Sequence, residues 1–166
     1  SPKVLLDAFA KIKPKLVLAV PLIIEKIVTR SVFPKLSVGA ASVLIKIPLL
    51  NEIVHAKVRK TMIEFFGGNL VEVVIGGAAL NSDVEKFLRK IRFPYTVGYG
   101  MTECGPLISY SFWSEYKERS SGKVVDRMQV KIDSPDPENV AGEILTKGAN
   151  LMLGYYKNEQ ATKETF

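Results

Sequence analysis

The chain has 166 residues, 47% of them hydrophobic and 24% charged, a balance that fits a globular domain with a real core and excludes a disordered tail. No apolar run reaches the roughly 18 residues of a membrane-spanning helix, no secretory leader is visible, and a single cysteine excludes an internal disulfide framework. The net charge of +6 points to anionic partners.

That charge is scattered. Its densest groups are Lys3, Lys11, Lys13 and Lys15, then Lys57, Arg59 and Lys60, with no RNA-binding aromatic signature or zinc spacing beside them. They read as solvated faces, and nucleic acid is not an expected partner. Peripheral contact with a membrane surface is the second reading, sensible for a lipid substrate. The lone Cys104 fits a reducing cytoplasm, the expected location.

In chain order, residues 15–20 predict an apolar strand. Pro21 suits the first position of a helix running to about Arg30, since its missing N–H would be unpaired there. Pro34 and Gly39 are expected to break that pattern. Residues 49–66 predict a longer helix with Val54, Val58, Met62 and Phe65 at helical spacing, ended by Gly67-Gly68. Residues 70–75 are β-branched and nearly all apolar, as a strand covered on both faces must be. A Gly76-Gly77-Ala78-Ala79 turn follows. Ser82 with Glu85 is read as a capping box, and Val84, Phe87, Leu88 and Ile91 stripe a helix that Pro94 stops. Residues 95–98 form the next strand. A strand–helix–strand crossover of this kind implies parallel pairing.

Beyond Ile108 the character changes. Residues 113–123 predict a loop, and 124–133 and 143–146 predict strands joined through a Ser134-Pro135-Asp136-Pro137 turn. The expected fold class is α/β: a parallel sheet with flanking helices over residues 1–112, then a β-rich subdomain beginning over 113–166.

Ligands of open α/β sheets sit beyond the carboxyl ends of the strands. Two glycine-bearing turns fall there, Gly76-Gly77-Ala78 and Gly98-Tyr99-Gly100-Met101-Thr102-Glu103, and parallel strands would place both on one rim. Glycines let the backbone approach an anion. Tyr99 offers an aromatic face, Thr102 a hydroxyl, and Glu103 a carboxylate for a hard divalent cation. Neither a G-x-G-x-x-G nor a P-loop motif is present. His55 and Cys104 invite reading as a nucleophile pair, but no partner is marked for either, and Cys104 reads as a space-filling residue.

Tyr99-Gly100-Met101-Thr102-Glu103 resembles the Y-G-x-T-E motif of the adenylate-forming (AMP-binding) superfamily. Its neighbours fall in the superfamily's order: Gly76-Gly77-Ala78 upstream, then Gly142-Glu143-Ile144, Gly148, Gly154-Tyr155-Tyr156 and the stretch 157–162 downstream. Lys13-Pro14 with Val20-Pro21-Leu22-Ile23-Ile24-Glu25-Lys26-Ile27 resembles a segment of long-chain fatty acid–CoA ligases. Leu22 stands there for the usual arginine, and Val97 for a frequent glutamine.

The resemblance implies an internal piece of the large N-terminal domain of an acid–thiol ligase. Its partners would be ATP, Mg²⁺, a fatty acid and coenzyme A. Carried over, Tyr99 would stack on adenine, Thr102 would bond the α-phosphate as a catalytic group, and Glu103 would be catalytic through the Mg²⁺ it holds. Gly76, Gly77 and Ala78 would line the adenine and acyl site, with Gly98, Gly100 and Met101 completing the nucleotide turn. The superfamily's phosphate loop, ribose-binding aspartate and catalytic lysine would lie outside this stretch, so the piece alone is expected to be inactive. Rival readings are another acyl, aryl or amino acid adenylating enzyme, and a non-catalytic α/β binding module.

Overall fold

The computed structural model describes residues 2–45, 47–48 and 50–166. The apolar tetrapeptide of β1 (Leu16–Ala19) follows helix α1 (Pro2–Ile12). Pro21 then opens α2 (Pro21–Ile27) as expected. The helical path does not end near Arg30, nor at Pro34. It widens into a π-helical turn over Val28–Val32, where the Phe33 N–H bonds the Val28 carbonyl, and continues as α3 (Phe33–Leu36). Pro34 falls at the start of α3, directly after the widened turn. After α4 (Gly39–Leu44) comes α5 (Leu50–Phe65); Leu49, its expected first residue, lies outside the described residues. Gly67 and Gly68, both at positive φ, close it.

The expected crossover is present. β2 (Glu72–Ile75), α6 (Ser82–Lys90) and β3 (Tyr95–Val97) form it, and the strands pair in parallel in the order β1-β2-β3. Leu16 pairs with Glu72 and Ala19 with Ile75, while Val73 pairs with Tyr95 and Ile75 with Val97. Val84, Leu88 and Ile91 of the predicted stripe are buried, with Ile24, Met62, Phe66 and Val73 in the same core.

The cap of α6 corrects the reading by one residue. Asn81, not Ser82, is the N-cap, and its side chain accepts from the N–H groups of Asp83 at 3.0 Å and Val84 at 3.2 Å. The backbone N–H of Asn81 goes to Glu25 Oε1 at 2.9 Å, so a carboxylate from α2 does what the third residue of a capping box does. Glu85 is therefore free for another task. It is buried, and Oε1 accepts from Tyr116 O–H at 2.5 Å and from the Arg119 N–H at 3.0 Å. Buried Glu72 likewise accepts from the Trp113 N–H at 2.6 Å. Burial and the Glu85 carboxylate push the Tyr116 phenol up, so it stays a neutral donor.

These two carboxylates explain why residues 111–120 belong to the same compact unit as residues 1–97. The second unit comprises 98–110 and 121–166, so the units interleave along the chain, and the division expected after 112 falls inside the 111–120 segment.

His55 of α5 is 3% exposed and neither ring nitrogen has a hydrogen-bond partner; Glu52 stands 3.9 Å from Nδ1. Burial, then the positive charge of Lys90, hold its pKa below 6.5, with Glu52 opposing. The unfolded chain therefore binds the proton first. Stability from this group is complete above about pH 6.5 and is lost as pH falls below it toward the folded-state value. His55 is the sole histidine. The urea midpoint should fall between pH 7.5 and 5.5, and His55→Phe should flatten that slope.

The second unit is antiparallel. β4 (Tyr99–Gly100) pairs with β5 (Leu107–Tyr110), which pairs with β6 (Lys123–Val124); β7 (Met128–Asp133) pairs with β8 (Glu143–Gly148). The single strand expected over 124–133 is broken at Arg127, whose φ is +68°. The connection between β7 and β8 turns about two residues later than the expected Ser134–Pro137, with the Asn139 and Val140 N–H groups donating to the Asp136 carbonyl at 3.1 and 2.7 Å and Ser134 Oγ donating to the Val140 carbonyl at 2.8 Å. An unforeseen helix, α7 (Glu159–Thr165), is capped by Asn158. Among the described residues no helix is long and apolar enough to cross a membrane.

Candidate functional site

In the parallel-sheet unit, β2 ends at Ile75 and the Gly76 N–H still donates to the Ala19 carbonyl at 3.1 Å. The chain then turns at Gly77, whose φ of +87° is open to glycine without strain. Gly77 and Ala78 are left exposed. Beside this turn lies a hollow of about 530 Å³ whose walls are Leu18, Ala19, Val20, Ile23, Val74, Gly76 and Gly77. No polar side chain lines it. The carboxyl ends of β1 and β2 therefore present an apolar surface with backbone amides at its edge.

β2 and β3 end level, since Ile75 pairs with Val97, the residue before Gly98. In the antiparallel unit, Tyr99 and Gly100 are strand residues and not part of a free turn; they pair with Ser109 and Leu107 across a bulge. The reason is at Gly100. A Cβ there would collide with the Pro106 carbonyl oxygen, and the Met101 N–H donates to that same oxygen at 2.8 Å. Thr102–Cys104 make one 3₁₀ turn, closed by Gly105 in the left-handed region. The side chains of Tyr99, Met101 and Thr102 are exposed, and Glu103 is half-buried.

Glu103 Oε1 accepts from the Tyr155 O–H at 2.6 Å. That bond holds the carboxyl below its ordinary range and the phenol above its own. Around it, the Met152 N–H donates to the Glu103 carbonyl at 2.8 Å, and Asn150 Nδ2 donates to the carbonyls of Cys104 and Leu107. The segment that carries Gly154-Tyr155 therefore fastens the Met101–Leu107 turn.

No group of three or more His, Cys, Asp or Glu that could hold a metal exists among the described residues. A self-contained protein metal cage is thus not what Glu103 builds. One ionised carboxylate with a second oxygen outside the Tyr155 bond does fit Mg²⁺, which takes one or two protein carboxylates and fills its shell with phosphate and water oxygens. Cys104 fills the small core with Ile108 and Met128, its Sγ 3.5 Å from Thr146 Oγ1. It touches a hydroxyl and not a base, and His55 has no hydrogen-bond partner; neither has the surroundings of an activated nucleophile pair.

The family model of the AMP-binding enzymes matches residues 1–156. The chain belongs to the AMP-binding enzyme family. Within it, the chain is 32% identical to long chain acyl-CoA synthetase 3 of Arabidopsis thaliana over 99% of its own length and 28% of that protein. It is 33% identical to 4-coumarate-CoA ligase 1 of Narcissus pseudonarcissus over 71% and 24% of the two chains. A luciferin 4-monooxygenase of Luciola mingrelica is 39% identical over 58% and 19%. The chain thus spans between 19% and 28% of these relatives. O-succinylbenzoate CoA synthetase of Bacillus subtilis, solved with ATP and magnesium ion, shares the fold with TM-score 0.62 at 21% identity, over 100% of this chain and 29% of that one. The same enzyme with its acyl-adenylate intermediate gives TM-score 0.68 at 20% identity, over 100% and 29%. The α/β class and the adenylate-forming identity read from the sequence both stand.

Three residues of this AMP-binding chain that hold the candidate turn escaped the sequence reading: Asn150, Tyr155 as a partner of Glu103, and Thr162, whose Oγ1 accepts from the Tyr155 N–H at 2.9 Å. The resemblance had placed Gly154-Tyr155-Tyr156 and Thr162 in a motif. Nothing in that pattern said which of two adjacent tyrosines faces Glu103.

Proposed function

We propose that the whole protein activates a long-chain fatty acid with ATP and passes the acyl group to coenzyme A. The observation that carries this reading is the extent of the likeness. The plant long-chain acyl-CoA synthetase aligns along 99% of the chain, whereas the 4-coumarate ligase aligns along 71% and the luciferase along 58%. The apolar walls of the hollow beside Gly76-Gly77 suit an aliphatic acyl chain better than a polar acid.

In this reading the substrate carboxylate attacks the α-phosphorus of ATP, pyrophosphate leaves, and the coenzyme A thiol then displaces AMP. Gly76, Gly77 and Ala78 line the adenine and acyl site; Gly98, Gly100 and Met101 shape the nucleotide turn; Tyr99 stacks on adenine. Thr102 donates to an α-phosphate oxygen, and Glu103 holds Mg²⁺, which supplies positive charge to the phosphoryl oxygens. The location is cytoplasmic, with peripheral contact to a membrane as the source of a lipid substrate. Pyrophosphate exchange by the whole protein with palmitate, 4-coumarate and o-succinylbenzoate tests the reading. Palmitate should support the fastest exchange; a clear preference for either aromatic acid overturns the fatty-acid assignment.

A further inference from the structure

The segment 150–162 does two separable things to the Met101–Leu107 turn. Asn150 and Met152 hold its backbone, through the carbonyls of Glu103, Cys104 and Leu107. Tyr155 bonds none of those carbonyls. Its phenol donates to the Glu103 side chain, across 52 residues of sequence, with the Thr165 side chain also beside it. Tyr155 is itself fixed from behind: its N–H donates to Thr162 Oγ1, that hydroxyl donates to the Asn158 carbonyl at 2.9 Å, and the Asn158 side chain caps α7. Its neighbour Tyr156 is 87% exposed, with Lys157 Nζ 5.2 Å from the centre of its ring.

We propose that Tyr155 is a positioning residue for the metal-binding carboxylate: its phenol holds Glu103 Oε1 and leaves the other oxygen directed outward for Mg²⁺. The inference rests on the reading that Glu103 holds the metal. Its physical basis is the scarcity of other ligands. With no group of three or more possible protein ligands among the described residues to cage the ion, affinity depends on how often this one flexible carboxylate occupies the right rotamer. A hydrogen-bond donor on the far oxygen restricts that freedom without taking the oxygen the metal needs. Partners of this kind behind a ligand are worth about 10- to 100-fold in metal affinity.

Tyr155→Phe removes one O–H and keeps the ring, and the site's backbone anchors are Asn150 and Met152, so the turn is expected to survive. In the whole protein, calorimetric titration with ATP should show binding about tenfold weaker for Tyr155→Phe with Mg²⁺ present, and unchanged in EDTA. The Mg²⁺ concentration for half-maximal pyrophosphate exchange should rise by a similar factor. Tyr156→Phe should alter neither. Equal weakening with Mg²⁺ and in EDTA would overturn the proposal, because Tyr155 would then only support the turn. Unaltered Mg²⁺ dependence in Tyr155→Phe, alongside a large change in Glu103→Gln, would also overturn it while sparing Glu103. If Glu103→Gln leaves the Mg²⁺ dependence untouched, the underlying metal assignment falls first.

Discussion

Glu103→Gln in the whole protein should slow acyl-adenylate formation by on the order of 10²-fold or more. The substitution keeps the size and an oxygen that can accept from Tyr155, and it removes the charge that, on the proposed reading, would attract Mg²⁺. Metal-assisted charge stabilisation is worth several kcal/mol, and each 1.4 kcal/mol or so is tenfold in rate. Pyrophosphate exchange measured over a range of Mg²⁺ concentrations is the check. Higher Mg²⁺ should recover part of the rate, because the remaining ligands are phosphate and water oxygens. Exchange and Mg²⁺ dependence equal to the wild type would remove Glu103 from the metal site. A lower melting temperature without ligand would instead mark it as a residue that only holds the turn.

Glu85→Ala should cost the fold about 3 kcal/mol or more. The carboxylate is buried, and its loss strands the Tyr116 O–H and the Arg119 N–H, each bonded to a charged acceptor worth about 1.5–3 kcal/mol. For a chain of this length that corresponds to a fall in melting temperature of roughly 10 °C. Glu85→Gln keeps one acceptor oxygen and should cost about 1 kcal/mol. Trp113, the sole tryptophan, sits half-buried in the same segment and reports on its release. Its emission should shift to longer wavelength in Glu85→Ala before global unfolding. Stability within about 0.5 kcal/mol of wild type, the range of a featureless surface site, would mean the segment is held by other contacts.

The sequence by itself determined the strand–helix–strand unit. Short apolar strands, a glycine turn and the Val84, Leu88, Ile91 stripe are local patterns, and each says which face is buried without reference to the rest of the chain. The family motifs were legible for the same reason, because they are short and ordered. What only the tertiary structure decided was where polar groups find their partners. Glu85 three residues after Ser82 satisfies the capping pattern, yet the cap is Asn81, with Glu25 bonding its N–H across 56 residues. Glu72 sits in a strand whose periodicity marks it only as covered, and Trp113 supplies the donor that makes its burial tolerable. Tyr99 and Gly100 read as a loop because their strand partner lies beyond Pro106. Glu103 was visible as a carboxylate on a turn, but the phenol bonded to it is 52 residues away. A side chain's burial is written in the spacing of its neighbours. Its hydrogen-bond partner is set by which distant segment the fold brings within about 3 Å, and no local pattern encodes that distance.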